Sequence, residues 1–566
     1  MRGSSVSSTL GVLLLALSPR ASGTCDTTPL ADPLPGTIPA SPFTLRLANV
    51  VTNLSYPVDV AAPDDGTGRL FVTERAGRVR VVQNGTIVAT LLDISATTVI
   101  DAGSAMSSIA LHPDFTVASS PGERKLYTVS QEAAGSGTPH FGAPSPVAHQ
   151  NVIYEWRVSA TDPNQVDPAS KRELLRVNSK TTVHNIDELV FGPDGYLYAS
   201  KGDDDMPATG MLDGTTVDGS VLRIDVDDPS GNGRYSIPAT NPFLGADPRI
   251  DELWAYGFRN PWRMGFDRNN GVLYVADIGE DDLEEVNVMQ AGRYYGWNDK
   301  EGSFAFLDFN GVTDDPDCVP PGFDGVDPLA QYDHSEGDRS ITGGFVYRGS
   351  ALPELVGRYI FGDLISGRLF VMTPNTGQIA KLAIDAAGAP LGPNLIGIGE
   401  DAAGEILLVV TQFDFSTTGR VVRIVGSTST LAGPPPGVPD LRVGKLDPQG
   451  SALELAWDTT GCAARGYHVL FGGSAELPAA SGGAFELAGA RCDIGVTSPY
   501  VWSGTPDALA DPHGLVWFLL VAHDGAGSEG SWGQDGAGAE RVGPGPGGAS
   551  LACGIALKTT TNACGQ

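Results

Sequence analysis

The chain has little positive charge: 36 Lys and Arg stand against 67 Asp and Glu, for a net charge of −31. A field of that sign repels nucleic acid and anionic membrane, so neither is expected as a partner. It suits cations and neutral sugars. Long amphipathic periodicity is missing, which argues against a helical bundle, while 73 Gly and 41 Pro favour short strands and many turns. No apolar run is long enough to span a bilayer comfortably, so membrane insertion is not expected. There is no G-x-G-x-x-G between strand and helix and no Walker-type loop for a nucleotide. A G-x-S-x-G nucleophile elbow is absent, as is any C-x-x-C or Cys/His spacing suited to zinc.

Residues 1–23 read as a signal peptide. Arg2 is the positive n-region, Leu10 to Leu17 the apolar core, and Ala21-Ser22-Gly23 the cleavage site. The mature protein is expected to be secreted or periplasmic. The six cysteines are even in number, which in an exported chain suggests disulfides. Proximity in sequence suggests Cys462–Cys492 and Cys553–Cys564, leaving Cys25–Cys318 as a long-range staple.

One unit recurs six times: a turn carrying Asp, Pro or Gly, then a short strand of Leu, Tyr and Val. Its copies are Gly68–Thr73, Arg124–Val129, Gly195–Ser200, Gly271–Ala276, Gly357–Gly362 and Gly404–Val409. Several lead into a second strand of Arg/Val alternation, as at Gly77–Val81, Ser220–Ile224, Gly367–Val371 and Gly419–Ile424. This hairpin grammar predicts an all-β, six-bladed β-propeller over 40–427, the competing arrangement being one irregular β-sandwich. Polar loops at 130–150 and 301–340 are expected to build binding surface. A Pro/Gly linker is expected at 428–439, followed over 440–566 by a small C-terminal β-sandwich. The strands of that sandwich, among them Ala452–Trp457 and Gly466–Phe471, resemble a fibronectin type III domain.

Three constellations could carry chemistry. His184-Asn185 precedes a strand, and a histidine there can serve as a general base or simply bond a loop carbonyl. Arg259-Asn260 precedes Pro261; the planar guanidinium suits carboxylates or quinone oxygens, or packs beneath a loop. The acidic loop Gly279–Glu285, with Tyr295 ten residues on, offers hard oxygen ligands for Ca²⁺, or is a solvated hairpin. Lys201-Gly-Asp-Asp-Asp205 is a weaker loop of the same kind.

Taken together the chain resembles the glucose/sorbosone dehydrogenase family over roughly 45–425. The matching phrases include Ala110-Leu-His-Pro-Asp-Phe115, His184-Asn185 with Phe191-Gly-Pro-Asp-Gly195, Trp254–Trp262, Ala276-Asp-Ile-Gly279, Tyr295-Gly-Trp297 and Ile341-Thr-Gly-Gly344. The resemblance implies a propeller binding pyrroloquinoline quinone (PQQ) and calcium, and oxidising an aldose with electrons passed to an external acceptor. It implies His184 as general base, Asn185, Arg259 and Asn260 around the quinone, Gly279 and Glu280 at the cofactor-site calcium, and Glu285 and Tyr295 at a structural calcium. The Hedgehog-interacting-protein branch implies the alternative, a calcium-stabilised binding module without quinone chemistry.

The chain departs from the family pattern in three places. A polar residue expected near Gly103 is missing. Ile186-Asp187 replaces Gly-Gly after His-Asn. The family's basic pair that grips the quinone's carboxylates is missing, its places falling near Asn394 and Ile396. Lys201, Arg339 and Arg348 are the candidate replacements for that pair.

Overall fold

The computed structural model describes most of residues 25–429 and parts of 442–558, so the signal-like segment lies outside the described residues. The chain divides into two compact units, Met1–Thr428 and Ser429–Gln566.

Each sequence repeat becomes the second strand of one sheet. Those strands are Leu70–Glu74, Lys125–Ala133, Leu197–Lys201, Leu273–Asp277, Tyr359–Asp363 and Ile406–Val410. Leu273–Asp277 is buried at every position, as its two apolar faces predict. The turn before it closes through the Gly271 N–H to the Asp267 carbonyl at 2.8 Å, with Gly271 at φ 71°. That conformation costs glycine little and a β-carbon more. The Arg/Val segments form the third strands, including Arg78–Gln83, Ser220–Ile224 and Leu369–Thr373.

The innermost strands are Pro57–Ala61, Met106–Leu111, Ile186–Phe191, Pro261–Phe266, Ile341–Val346 and Leu395–Glu400. Each touches the next, and the last touches the first. This closed ring makes unit one a six-bladed β-propeller. Closure comes from the chain's beginning. Ala40–Leu54 lies between Gln378–Ile384 of the fifth blade and Gly419–Ser429 of the sixth, and runs parallel to the former. Its Leu45 and Leu47 pack with Ile360, Leu382 and Val422.

All six innermost strands slip register at their second residue. The ladder passes over Val58, Ser107, Asp187, Trp262, Thr342 and Ile396. Each is a β-bulge, which leaves one residue unpaired and re-aims its side chain.

The loop expected at 301–340 is partly stranded, with a small sheet of Lys300–Glu301, Phe304–Phe306 and Val312–Thr313. Cys318 beyond it bonds Cys25, as expected. The second unit is a pair of sheets. Leu455 and Trp502 of one share a core with Tyr467, Val469 and Ala522 of the other. Here the expected pairings of Cys492 and Cys553 are corrected: they bond each other. The tail folds back onto the sheet, with the Ser550 N–H on the buried Glu529 carboxylate at 2.7 Å, so it meets Cys492 across space. Cys462, Cys564 and Trp457 lie outside the described residues.

Candidate active site

The innermost strands begin around a cavity of about 320 Å³ on the propeller axis. Tyr56, Val58, Met106, Trp262 and Ile396 give it apolar walls, and His184, Asn185, Arg259 and Asn260 all line it. Blades three and four, adjacent in the ring, bring together these residues from two distant stretches of sequence.

His184 holds a left-handed backbone at φ 54°, a conformation costly for a non-glycine residue. Its surroundings enforce it. The buried Lys201 ammonium donates to the His184 carbonyl at 2.9 Å and the Gly202 carbonyl at 2.8 Å, and pairs with Asp218 at 3.2 Å. A β-carbon on Gly202 would stand 2.7 Å from the His184 Cβ and 2.8 Å from the Asn260 Oδ1. On the ring, Nδ1 lies 2.5 Å from Oδ1 of the buried Asp203, whose Oδ2 accepts from the Trp297 indole at 2.8 Å. A carboxylate on Nδ1 fixes the proton there and leaves Nε2 as the acceptor toward the cavity. The acidic run at 201–205 therefore acts differently from the cation loop expected. Asp203 orients His184, and Asp204 accepts the Lys180 and Thr181 N–H groups at 2.6 and 3.2 Å.

Asn185 is held through its amide to the Thr182 carbonyl at 3.1 Å and to the His149 Nε2 at 2.6 Å. The backbone N–H groups of Arg259 and Asn260 both donate to the buried Asp277 carboxylate, at 3.0 and 2.7 Å. The Arg259 Nη1 donates to the Gly279 carbonyl at 2.7 Å, and Nη2 pairs with Glu280. Arg259 Nε and Asn260 Oδ1 are buried without a hydrogen-bond partner.

Glu285 lies elsewhere, on the third strand of blade four. It accepts from the Gly302 N–H at 2.6 Å and the Asn287 amide at 2.9 Å. The neighbouring Glu301 Oε1 collects the N–H groups of Glu280, Asp281, Asp282 and Leu283 at 2.8, 3.0, 3.0 and 3.0 Å. Glu301 Oε2 and Asn287 Oδ1 are buried and unpartnered. Burial, reinforced by neighbouring carboxylates, pushes the Glu285 carboxyl up to about 7. Tyr295 stands apart: its hydroxyl donates to the Val288 carbonyl at 2.8 Å and its ring stacks on Phe258. Among the described residues no three His, Cys, Asp or Glu side chains converge as a ligand group.

The candidate cations read from sequence point elsewhere. Lys201 serves the His184 turn, Arg348 is forked on Asp267 at 2.7 and 2.6 Å, and the exposed Arg339 does not line the cavity. The cavity's second guanidinium belongs to Arg75, over the Tyr56 ring at 4.8 Å. Gln131 is a further polar lining residue, bonded through its amide to Asn151 at 2.9 Å. Sequence reasoning missed Arg75, Gln131 and Asp203. The one available signal for Arg75 was its place just after a second strand.

The sequence profile of the family described as Glucose / Sorbosone dehydrogenase matches residues 54–389. The chain belongs to this family. Its members include proteins of two kinds among the relatives. The HIPL1 protein of Arabidopsis thaliana is 35% identical over 256 residues, covering 40% of this chain and 36% of that protein. The Hedgehog-interacting protein of Homo sapiens is 29% identical over 409 residues, covering 67% and 52%. The aldose sugar dehydrogenase YliI of Escherichia coli is 25% identical over 258 residues, covering 46% and 63%. The chain thus spans about half the length, or less, of the plant and mammalian relatives. The soluble aldose sugar dehydrogenase structure from Escherichia coli, in its apo-form, superposes with a TM-score of 0.53 at 21% identity. It covers 68% of this chain and 100% of that one, a likeness of fold.

Proposed function

We propose that this protein is an exported sugar dehydrogenase whose propeller cavity takes a PQQ-type quinone, with His184 as general base. The observation that carries this reading is the Asp203–His184 pair, which leaves the imidazole Nε2 facing the cavity beside Arg259 and Asn260. The cavity volume of about 320 Å³ falls in the range of small-molecule sites. Its apolar walls suit a planar ring, and the buried, unpartnered Arg259 Nε lacks an acceptor that a carboxylate would supply. Arg75, Arg259 and Asn260 would hold the quinone, which when bound supplies a hydride acceptor. His184 Nε2 then takes the proton from the sugar's C1 hydroxyl. Asp203 stabilises the imidazolium that results, and Lys201 keeps the His184 turn from relaxing. The apolar walls exclude water and strengthen these charges.

Of the two expected calcium sites, the one at Glu285 is proposed to hold the ion, with Asn287 and Glu301 in place of Tyr295. Glu285, Asn287 and Glu301 offer hard oxygens, two of them orphaned, and would hold it. At the site expected from the Gly279 and Glu280 carbonyls, the Gly279 carbonyl already accepts from Arg259, whose guanidinium also pairs with the Glu280 carboxylate, so no cation is proposed there. The signal-like first 23 residues and the disulfides support export to an oxidising compartment.

A second reading, a binding propeller without quinone chemistry, is favoured by the same Arg259–Glu280 pairing, which an anionic ligand would have to break. Titration of calcium-loaded protein with PQQ, followed by absorbance, separates the two. The dehydrogenase reading expects saturable binding and bleaching of the oxidised quinone when aldoses are added. No binding at tens of micromolar would overturn it.

A further inference from the structure

The six bulged residues form a ring beneath the cavity, and five of them, all but Thr342, line it. Three polar members spend their donors on the ring's own backbone. The Ser107 hydroxyl donates to the Ile186 carbonyl at 2.8 Å, the Trp262 indole to the Ile396 carbonyl at 3.0 Å, and the Thr342 hydroxyl to the Leu395 carbonyl at 2.6 Å. Val58 and Ile396 are apolar. Asp187 is the exception. It is only 4% exposed, and its Oδ2 is buried without a partner. Arg263 beside it directs its Nη donors to the carbonyls of Val58 at 2.6 Å and Asp187 at 2.9 Å, and to the Glu188 carboxylate at 2.8 Å. The guanidinium leaves the Asp187 carboxylate unbonded, although its own Nε is buried without a partner, and burial pushes the neighbouring Glu188 carboxyl up to about 8. A buried carboxylate lacking a donor is costly until something supplies one.

We propose that Asp187 sets the charge preference of the floor of this cavity, so that the floor takes a sugar presenting hydroxyl or ammonium donors and rejects one presenting an anion, the quinone's carboxylates being left to Arg75 and Arg259. The inference rests on reading the cavity as a sugar site. Asp187 stands where the family phrase has glycine, so the preference belongs to this chain. Burial pushes its carboxyl up to about 6 against the pull of Arg263, His184 and Lys201, which leaves it mostly ionised at pH 7.

The test is calorimetric titration at pH 7 with three pyranoses of one skeleton: glucose, protonated glucosamine and glucuronate. The wild-type protein is expected to bind glucosamine about tenfold or more tighter than glucuronate, a ratio in keeping with one charge-assisted hydrogen bond. In Asp187→Asn, which is isosteric, the ratio should fall to about twofold or less. Asp187→Gly repeats the measurement should the Asn variant fail to fold. An unchanged ratio in the variant, or no saturable binding of any of the three to any of the proteins, overturns the proposal. Sugars binding with this pattern while PQQ does not would sink the dehydrogenase reading and leave Asp187's role intact.

Discussion

A single imidazole in a strained backbone carries the proposed chemistry, and its supports make that testable one residue at a time. His184→Ala should lower sugar-dependent reduction of an electron acceptor by about 10²–10⁴-fold, the usual worth of a general base, while PQQ titration is unchanged. An equal loss in both would make His184 a binding residue. Gly202→Ala places a methyl against His184 and Asn260 and should cost about 1–3 kcal/mol in thermal unfolding, with catalysis falling more than stability. Asp187 gives a pH signature. Its folded-state value, about 6, is raised above that of an unfolded aspartate, so the folded state binds the proton more tightly. Stability contributed by that proton is therefore lost as pH rises from about 4 through 6. Asp187→Asn should match the wild type in unfolding free energy near pH 4 and exceed it at pH 8 by about 1–3 kcal/mol, with a higher melting temperature there. Equal melting curves at both pH values would refute the shift.

At the scale of the strand, legibility followed periodicity. The second and third strands of the blades announce themselves through turns and alternating apolar residues. The innermost strands do not. Ile186-Asp-Glu-Leu-Val-Phe191 and Ile341-Thr-Gly-Gly-Phe-Val346 carry a bulge that breaks the period of two, together with polar residues facing the axis. The strands that build the site were thus the hardest to read. His184 and Arg259 stood out through motif phrases, whereas Asp203 was hidden in an acidic run whose composition says nothing of direction. Arg75 carries no signal beyond its place after a second strand; only the ring geometry brings it to the cavity. The cysteines misled for a related reason, since sequence proximity ignores the path of the tail. Blade four supplies the element-scale prediction. Calcium at about 100 times its dissociation constant should stabilise the protein by about 2.7 kcal/mol, and Glu285→Gln should abolish the rise in melting temperature. A chelator-insensitive melting curve in the wild type would remove the metal from that strand.

The whole propeller depends on contacts between distant parts of the chain. Cys25 and Cys318 are 293 residues apart, and Cys318→Ser should cost about 2–5 kcal/mol in stability, measured by denaturant unfolding under oxidising conditions. An unchanged midpoint would show that Ala40–Leu54 alone closes the ring. That strand has a consequence for biosynthesis. It leaves the ribosome some hundreds of residues before Gly419–Ser429, the strand against which it lies. Until then Ala40–Leu54 has one unpaired edge, and before Cys318 emerges Cys25 has no partner to bond. The ring therefore cannot close around its cavity during most of synthesis. If the protein is exported as proposed, a nascent chain in that state would stay threadable through an export channel and would close its ring only once the last blade had crossed.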